Sequence, residues 1–111
     1  MIECRDYPRI PVDVQVFFSS TNKADICKGT MFDLSARGCA VTSMSSVQRG
    51  SAVSLLIEAT DLGSPITIES AAVRWSESGE FGVEFLGLSE IDQRRLHRLF
   101  KVSTTHQIHP R

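Results

Sequence analysis

The chain has 111 residues, 41% of them hydrophobic and 23% charged, with 12 basic and 13 acidic side chains. That is the make-up of one folded domain with one core, too apolar for a disordered chain and too short to divide. A net charge of −1 excludes a protein that coats nucleic acid by bulk charge, which needs a basic surface and many phosphate contacts.

The chain opens Met1-Ile2-Glu3-Cys4-Arg5-Asp6, with neither the basic start nor the apolar stretch of a secretion signal. Pro8 and Pro11 fix φ and push Tyr7 and Ile10 toward extended geometry, so residues 1–11 read as a stiff arm presenting Arg5 and Arg9. Val12, Val14, Val16 and Phe18 then share one face, with Asp13, Gln15 and Ser19 on the other, which predicts a half-buried antiparallel strand. Ser20-Thr21-Asn22-Lys23 supplies turn chemistry. A second strand is expected from Ile26 to Phe32, with Ile26, Thr30 and Phe32 on one face. Asp33-Leu34-Ser35-Ala36-Arg37-Gly38 connects it to a short strand around Cys39–Thr42. The loop-like stretch Ser43–Ser51 leads to a strand carrying Val53, Leu55 and Ile57.

Asp61-Leu62-Gly63-Ser64-Pro65 is a turn, and a long strand runs from Ile66 to about Trp75. Its alternation changes phase between Ile66/Ile68 and Val73/Trp75, and a β-bulge near Ser70–Ala72 would return both sets to one side. Ser78-Gly79 turns into a last strand with Phe81, Val83 and Phe85. Ser89 with Asp92 resembles a capping box, and Ile91, Leu96, Leu99 and Phe100 form an apolar stripe at helical spacing. The expected organisation is therefore an arm (1–11), a β domain (12–88), a helix (89–102) and a flexible tail (103–111). Six short strands closed by turns and followed by one helix read as a small antiparallel barrel or sandwich, mainly β, with the helix capping one opening.

Charge is uneven: residues 1–88 hold seven basic and eleven acidic groups, whereas 89–111 hold five basic and two acidic. The basic end is suited to touching an acidic partner, and a solvated cationic helix face is the blander reading. Cys4, Cys27 and Cys39 make an odd count without a CxxC pair, so neither a disulfide framework nor a zinc site is expected. Reduced thiols and no export signal point to the cytoplasm, and no apolar run is long enough to insert in a membrane. No GxxxxGK[ST] or GxGxxG loop is present, His97 sits among helix arginines, and His106 and His109 lie near Pro110. The expectation is a non-enzyme with no metal and no cofactor.

Two clusters remain. Arg5-x-x-x-Arg9 precedes the first strand, and Asp33-x-Ser35-x-x-Gly38 follows the second, where Gly38 permits close backbone approach. Together with Trp75 at the end of the long strand, the strand Phe81-Gly82-Val83-Glu84-Phe85 and the C-terminal helix, they resemble the PilZ domain family over residues 3 to about 101. The resemblance implies a six-stranded antiparallel barrel that binds the bacterial second messenger cyclic di-GMP. It also implies that Arg5 and Arg9 meet the ligand's phosphates and guanine Hoogsteen edges, while Asp33, Ser35 and Gly38 hold a guanine. Arg37 and Trp75 are further candidates, Trp75 being read as core with one exposed edge. Where many members carry another arginine before RxxxR this chain has Cys4, which leaves open one ligand or a stacked pair.

The chemistry fits. Arginine forks onto phosphate oxygens and onto guanine O6/N7 and stacks on ring faces, and a carboxylate and hydroxyl suit the guanine N1–H and N2–H₂ donors. The expected function is a stand-alone cyclic di-GMP receptor in motility, biofilm or pilus control. Its arm, mobile without ligand, would fold over the barrel and change contact with an unidentified downstream protein. The alternative is a PilZ-like interaction module that binds no nucleotide. A barrel that binds single-stranded nucleic acid would need aromatic platforms among basic residues, which the strand faces lack.

Overall fold

The computed structural model describes residues 8–20, 25–58 and 64–107, with side chains as far as Lys101. Cys4 and Arg5, turn residues 21–23 and 61–63, and positions 108–111 lie outside the described residues.

Six strands form a closed barrel: β1 (Ile10–Ser20), β2 (Cys27–Leu34), β3 (Gly38–Thr42), β4 (Ala52–Ile57), β5 (Ile66–Glu77) and β6 (Glu80–Gly87). Helix α1 (Glu90–Gln107) follows. The order around the barrel is β1-β2-β3-β6-β5-β4, with every neighbouring pair antiparallel and β4 returning to β1. Alternating apolar residues fill the interior: Val16, Phe18, Val41, Val53, Leu55, Ile57, Ile66, Ile68 and Phe81 are all buried. Phe18 and Phe81 meet edge to face with ring centroids 5.0 Å apart, a favoured aromatic geometry.

Leu96 and Leu99 of α1 join this same cluster, with Phe100 packed against it, so the helix closes one mouth of the barrel. Its N-terminus is capped as the sequence predicts: the Asp92 N–H donates to Ser89 Oγ at 3.1 Å, and that hydroxyl donates to Asp92 Oδ2 at 2.9 Å. Arg95 ties the helix to the start of β5 by donating to the backbone oxygens of Pro65, at 2.6 Å, and Ser64.

Four expectations need correction. β1 begins at Ile10, inside the segment assigned to the arm, because Ile10 and Pro11 pair with Leu34 and Asp33 of β2. In β2 the inward residues are Gly29, Met31 and Leu34, and the face carrying Ile26 and Phe32 looks outward, Ile26 being 73% exposed. Ile91 is 67% exposed, because five residues at about 100° each place it about 140° around the helix from Leu96. The helix also continues past 102 to Gln107, since the chain holds no glycine or proline there before Pro110 to stop it.

The phase change in β5 was legible. Val53 pairs with Ala71 and Leu55 with Ile68, so one extra residue falls between Ile68 and Ala71, and all four side chains point inward.

Candidate functional site

Register shifts decide which side chains reach the outer face beside the β2–β3 turn. Between β2 and β3, Met31 pairs with Val41 but Asp33 pairs with Ala40, leaving Phe32 as an extra residue that turns Asp33 outward. Directly paired residues of antiparallel strands point to the same face. Pro11, Asp33, Ala40, Gly82 and Trp75 therefore form one outer rung across β1, β2, β3, β6 and β5.

Trp75 reaches that rung through a second shift in β5. Val73 pairs with Val83 on the inside, Arg74 is the extra residue, and Trp75 pairs with Gly82 on the outside. Trp75, expected in the core with one exposed edge, stands instead on the outer face, its indole half-buried across Gly82, where any Cβ would overlap it. Gly82 and Ala40, the latter only 1% exposed, make a smooth small-residue floor beside the indole.

Arg9 and Asp33 are brought together. Arg9 Nη1 donates to Asp33 Oδ2 at 2.9 Å, with 47% and 25% of the two side chains exposed. The pair therefore remains open to exchange with a ligand. Arg5, its companion in the sequence motif, lies outside the described residues.

Ser35 is the buried polar residue of the turn, and its hydroxyl organises it. Ser35 Oγ accepts the N–H groups of Arg37 and Gly38, each at 3.2 Å, while the Ser35 N–H donates to the Gly38 carbonyl at 2.9 Å. The Phe85 N–H then donates to the Arg37 carbonyl at 2.8 Å and fastens the turn to β6. Gly38 packs so closely on β6 that a Cβ would overlap the Val83 carbonyl oxygen, so close approach excludes a side chain here.

A second ionic group flanks the turn on the next outer rung, where Gly38 pairs with Glu84. Glu84 Oε1 accepts from Arg74 Nε at 2.8 Å and Nη2 at 2.6 Å, and Arg37 Nη2 lies 3.9 Å from Glu84 Oε2. Three guanidiniums thus meet two carboxylates, a local cationic surplus on a chain whose net charge is −1. Glu84 and Arg74 were missed as site residues. No local spacing marked them, because the two meet only across strands.

Beneath Asp33 and Arg9, Cys39 faces the core. Burial pushes its thiol up to about 12, the Asp33 carboxylate adds to the rise, and the Arg9 guanidinium opposes it. A thiol held protonated in this way is no nucleophile. His97 is exposed on α1. Among the described residues no group of three His, Cys, Asp or Glu side chains is placed to hold a metal ion, and no helix is long and apolar enough to cross a membrane.

Chemically, the surface offers a guanidinium and a carboxylate at one turn, further guanidiniums nearby, and an indole over a flat floor. That combination suits a small ligand with planar rings, hydrogen-bond donors and negative charge.

The sequence model of the PilZ domain matches residues 3–101. No curated protein matches the chain. Among solved structures, the chain is similar to the Bacillus subtilis inhibitor of motility MotI/DgrA (22% identity, TM-score 0.73), aligning over 94% of this chain and 53% of that one. It is also similar to the PilZ domain of YcgR from Escherichia coli with c-di-GMP (16% identity, TM-score 0.70), over 95% of each chain. A third likeness is to the PilZ domain of CeSA from a cellulose-synthesizing bacterium (18% identity, TM-score 0.68), over 86% of this chain and 97% of that one. The chain spans about half the length of MotI/DgrA.

Proposed function

The chain belongs to the PilZ domain family, and from that premise we propose that it is a receptor for cyclic di-GMP, not an enzyme, whose ligand-bound form changes contact with a downstream protein. The observation that carries this reading is the Arg9–Asp33 pair, 2.9 Å apart at the foot of the Ser35–Gly38 turn. The ligand has two phosphate charges and two guanines. Arg9 exchanges its carboxylate partner for a phosphate oxygen or a guanine O6/N7 edge, and Asp33 then accepts the guanine N1–H and N2–H₂. Each group keeps hydrogen-bond partners through the exchange, Arg9 with acceptors of the ligand and Asp33 with its donors. Similarity to a YcgR PilZ domain solved with c-di-GMP supports the same ligand.

The remaining roles follow from position. Ser35 keeps the turn in shape and Gly38 lets it pack directly against the Val83 carbonyl of β6. Trp75 offers a ring face over the Gly82 floor, and Arg37 adds charge beside Glu84. Arg5 closes on the nucleotide from the arm, which the start of β1 at Ile10 confines to residues 1–9. Binding orders that arm over the barrel.

Trp75 is the single tryptophan and so reports on its own surface. Titration with cyclic di-GMP is expected to give a saturable change in its emission, with GMP giving none at the same concentrations. Amide exchange over residues 2–9 is expected to slow with ligand. Unchanged emission and exchange at high ligand, in a folded protein, would favour the interaction module that binds no nucleotide.

A further inference from the structure

An open groove of about 900 Å³ runs between α1 and the ends of β6 and the β2–β3 turn. Phe85, Leu88, Leu96 and Phe100 line it with apolar surface, and Leu86, 57% exposed, stands at its edge. Its charged lining is mainly cationic: Arg37 and Arg94 face it beside His97, against the single carboxylate of Glu90. The cationic surface continues along exposed Arg94, Arg98 and Lys101, spaced four and three residues apart on one face of α1. After Asp92 the chain contains no acidic residue at all.

The barrel is closed, so its strands offer no edge on which a partner strand could pair. An apolar trough bordered by cations instead matches an amphipathic helix whose apolar face is flanked by carboxylates. We infer that this groove is the docking site for an acidic amphipathic helix of a downstream protein. Its wall includes Ala36 and Arg37 of the β2–β3 turn and Pro8, the neighbour of Arg9. Resting on the receptor reading above, the ligand that engages Arg9 and the turn moves this wall, so ligand and helix change each other's affinity by the same factor.

The test uses the full chain and fluorescein-labelled peptides of about 18 residues, or five helical turns. One carries Leu at i, i+3, i+4 and i+7 with Glu on the flanks; a second has Lys in place of Glu; a third scrambles the acidic sequence. Anisotropy is expected to show saturable, salt-sensitive binding of the patterned acidic peptide alone, weakened at least about tenfold by Arg94→Glu or by Leu86→Asp. Both positions are exposed, so both variants are expected to fold, which thermal melts check. Cyclic di-GMP is expected to shift the peptide's affinity. Equal binding of the scrambled peptide, or no effect of either substitution, would overturn the assignment. So would a concentration-dependent dimer abolished by Leu86→Asp, which would make a second copy the occupant. Calorimetry of cyclic di-GMP on the same samples separates the two claims. Ligand binding without peptide binding sinks the groove and spares the receptor, whereas peptide binding without ligand binding sinks the coupling and the receptor together.

Discussion

At the scale of single residues, Ser35, Gly82 and Cys39 support the ground on which the Arg9–Asp33 pair stands. Ser35 Oγ accepts two backbone N–H groups in a partly buried turn, so Ser35→Ala strands both donors. The expected cost is about 1–3 kcal/mol of stability by urea denaturation, with weaker ligand binding alongside because the turn loses its shape. Gly82→Ala drives a methyl into the indole of Trp75, and the expected outcome is a displaced ring and an altered emission maximum in the free protein. Cys39 gives a pH signature. Its thiol is raised from 9.0 to about 12 on folding, so above pH 9 the unfolded chain loses a proton that the native state keeps. The stability the neutral thiol contributes is full below pH 9 and falls by about 1 kcal/mol per pH unit from there toward pH 12. Thermal midpoints measured between pH 8 and 11 are expected to fall more gently in Cys39→Ala than in the parent.

At the scale of elements, register shifts matter more than strand propensity. The β5 shift before Ala71 could be read from the sequence because it separates Ile66 and Ile68 from Val73, large aliphatic residues whose phases conflict. The second shift, at Arg74, could not, since Trp75 continues the parity of Val73 and only its pairing with Gly82 reveals the flip. The same holds in β2, where Phe32 and Ile26 are larger than Gly29, so side-chain size pointed to the wrong face. Motif residues were legible because Arg9, Asp33, Ser35 and Gly38 are chemically distinctive and locally spaced. Glu84 and Arg74, which meet only across strands, were not. The cap of α1 was also written locally, and it gives a clean test of the helix. Ser89→Ala removes the acceptor for the Asp92 N–H and is expected to cost about 1 kcal/mol of unfolding free energy.

At the scale of the whole molecule, a closed barrel with a helix across one mouth places Pro8 and Arg9, the β2–β3 turn and α1 on neighbouring surfaces. A chain with net charge −1 places four of its twelve basic groups there: Arg9, Arg37 and Arg74 around the turn, and Arg94 in the groove beside it. The affinity for a dianionic ligand is therefore expected to fall as salt rises, because these guanidiniums are exposed enough to be screened. The most direct measurement is isothermal titration of cyclic di-GMP into the parent chain, with Arg9→Ala and Asp33→Asn beside it. Saturable binding to the parent is expected, with at least about a tenfold loss in each variant, since a bidentate base contact is worth about 1–3 kcal/mol. The exposed pair contributes only about 0–1 kcal/mol to folding, so both variants are expected to keep their thermal stability. No heat from a folded parent, or equal affinity in all three proteins, would contradict the assignment of the Arg9–Asp33 pair as the heart of the site.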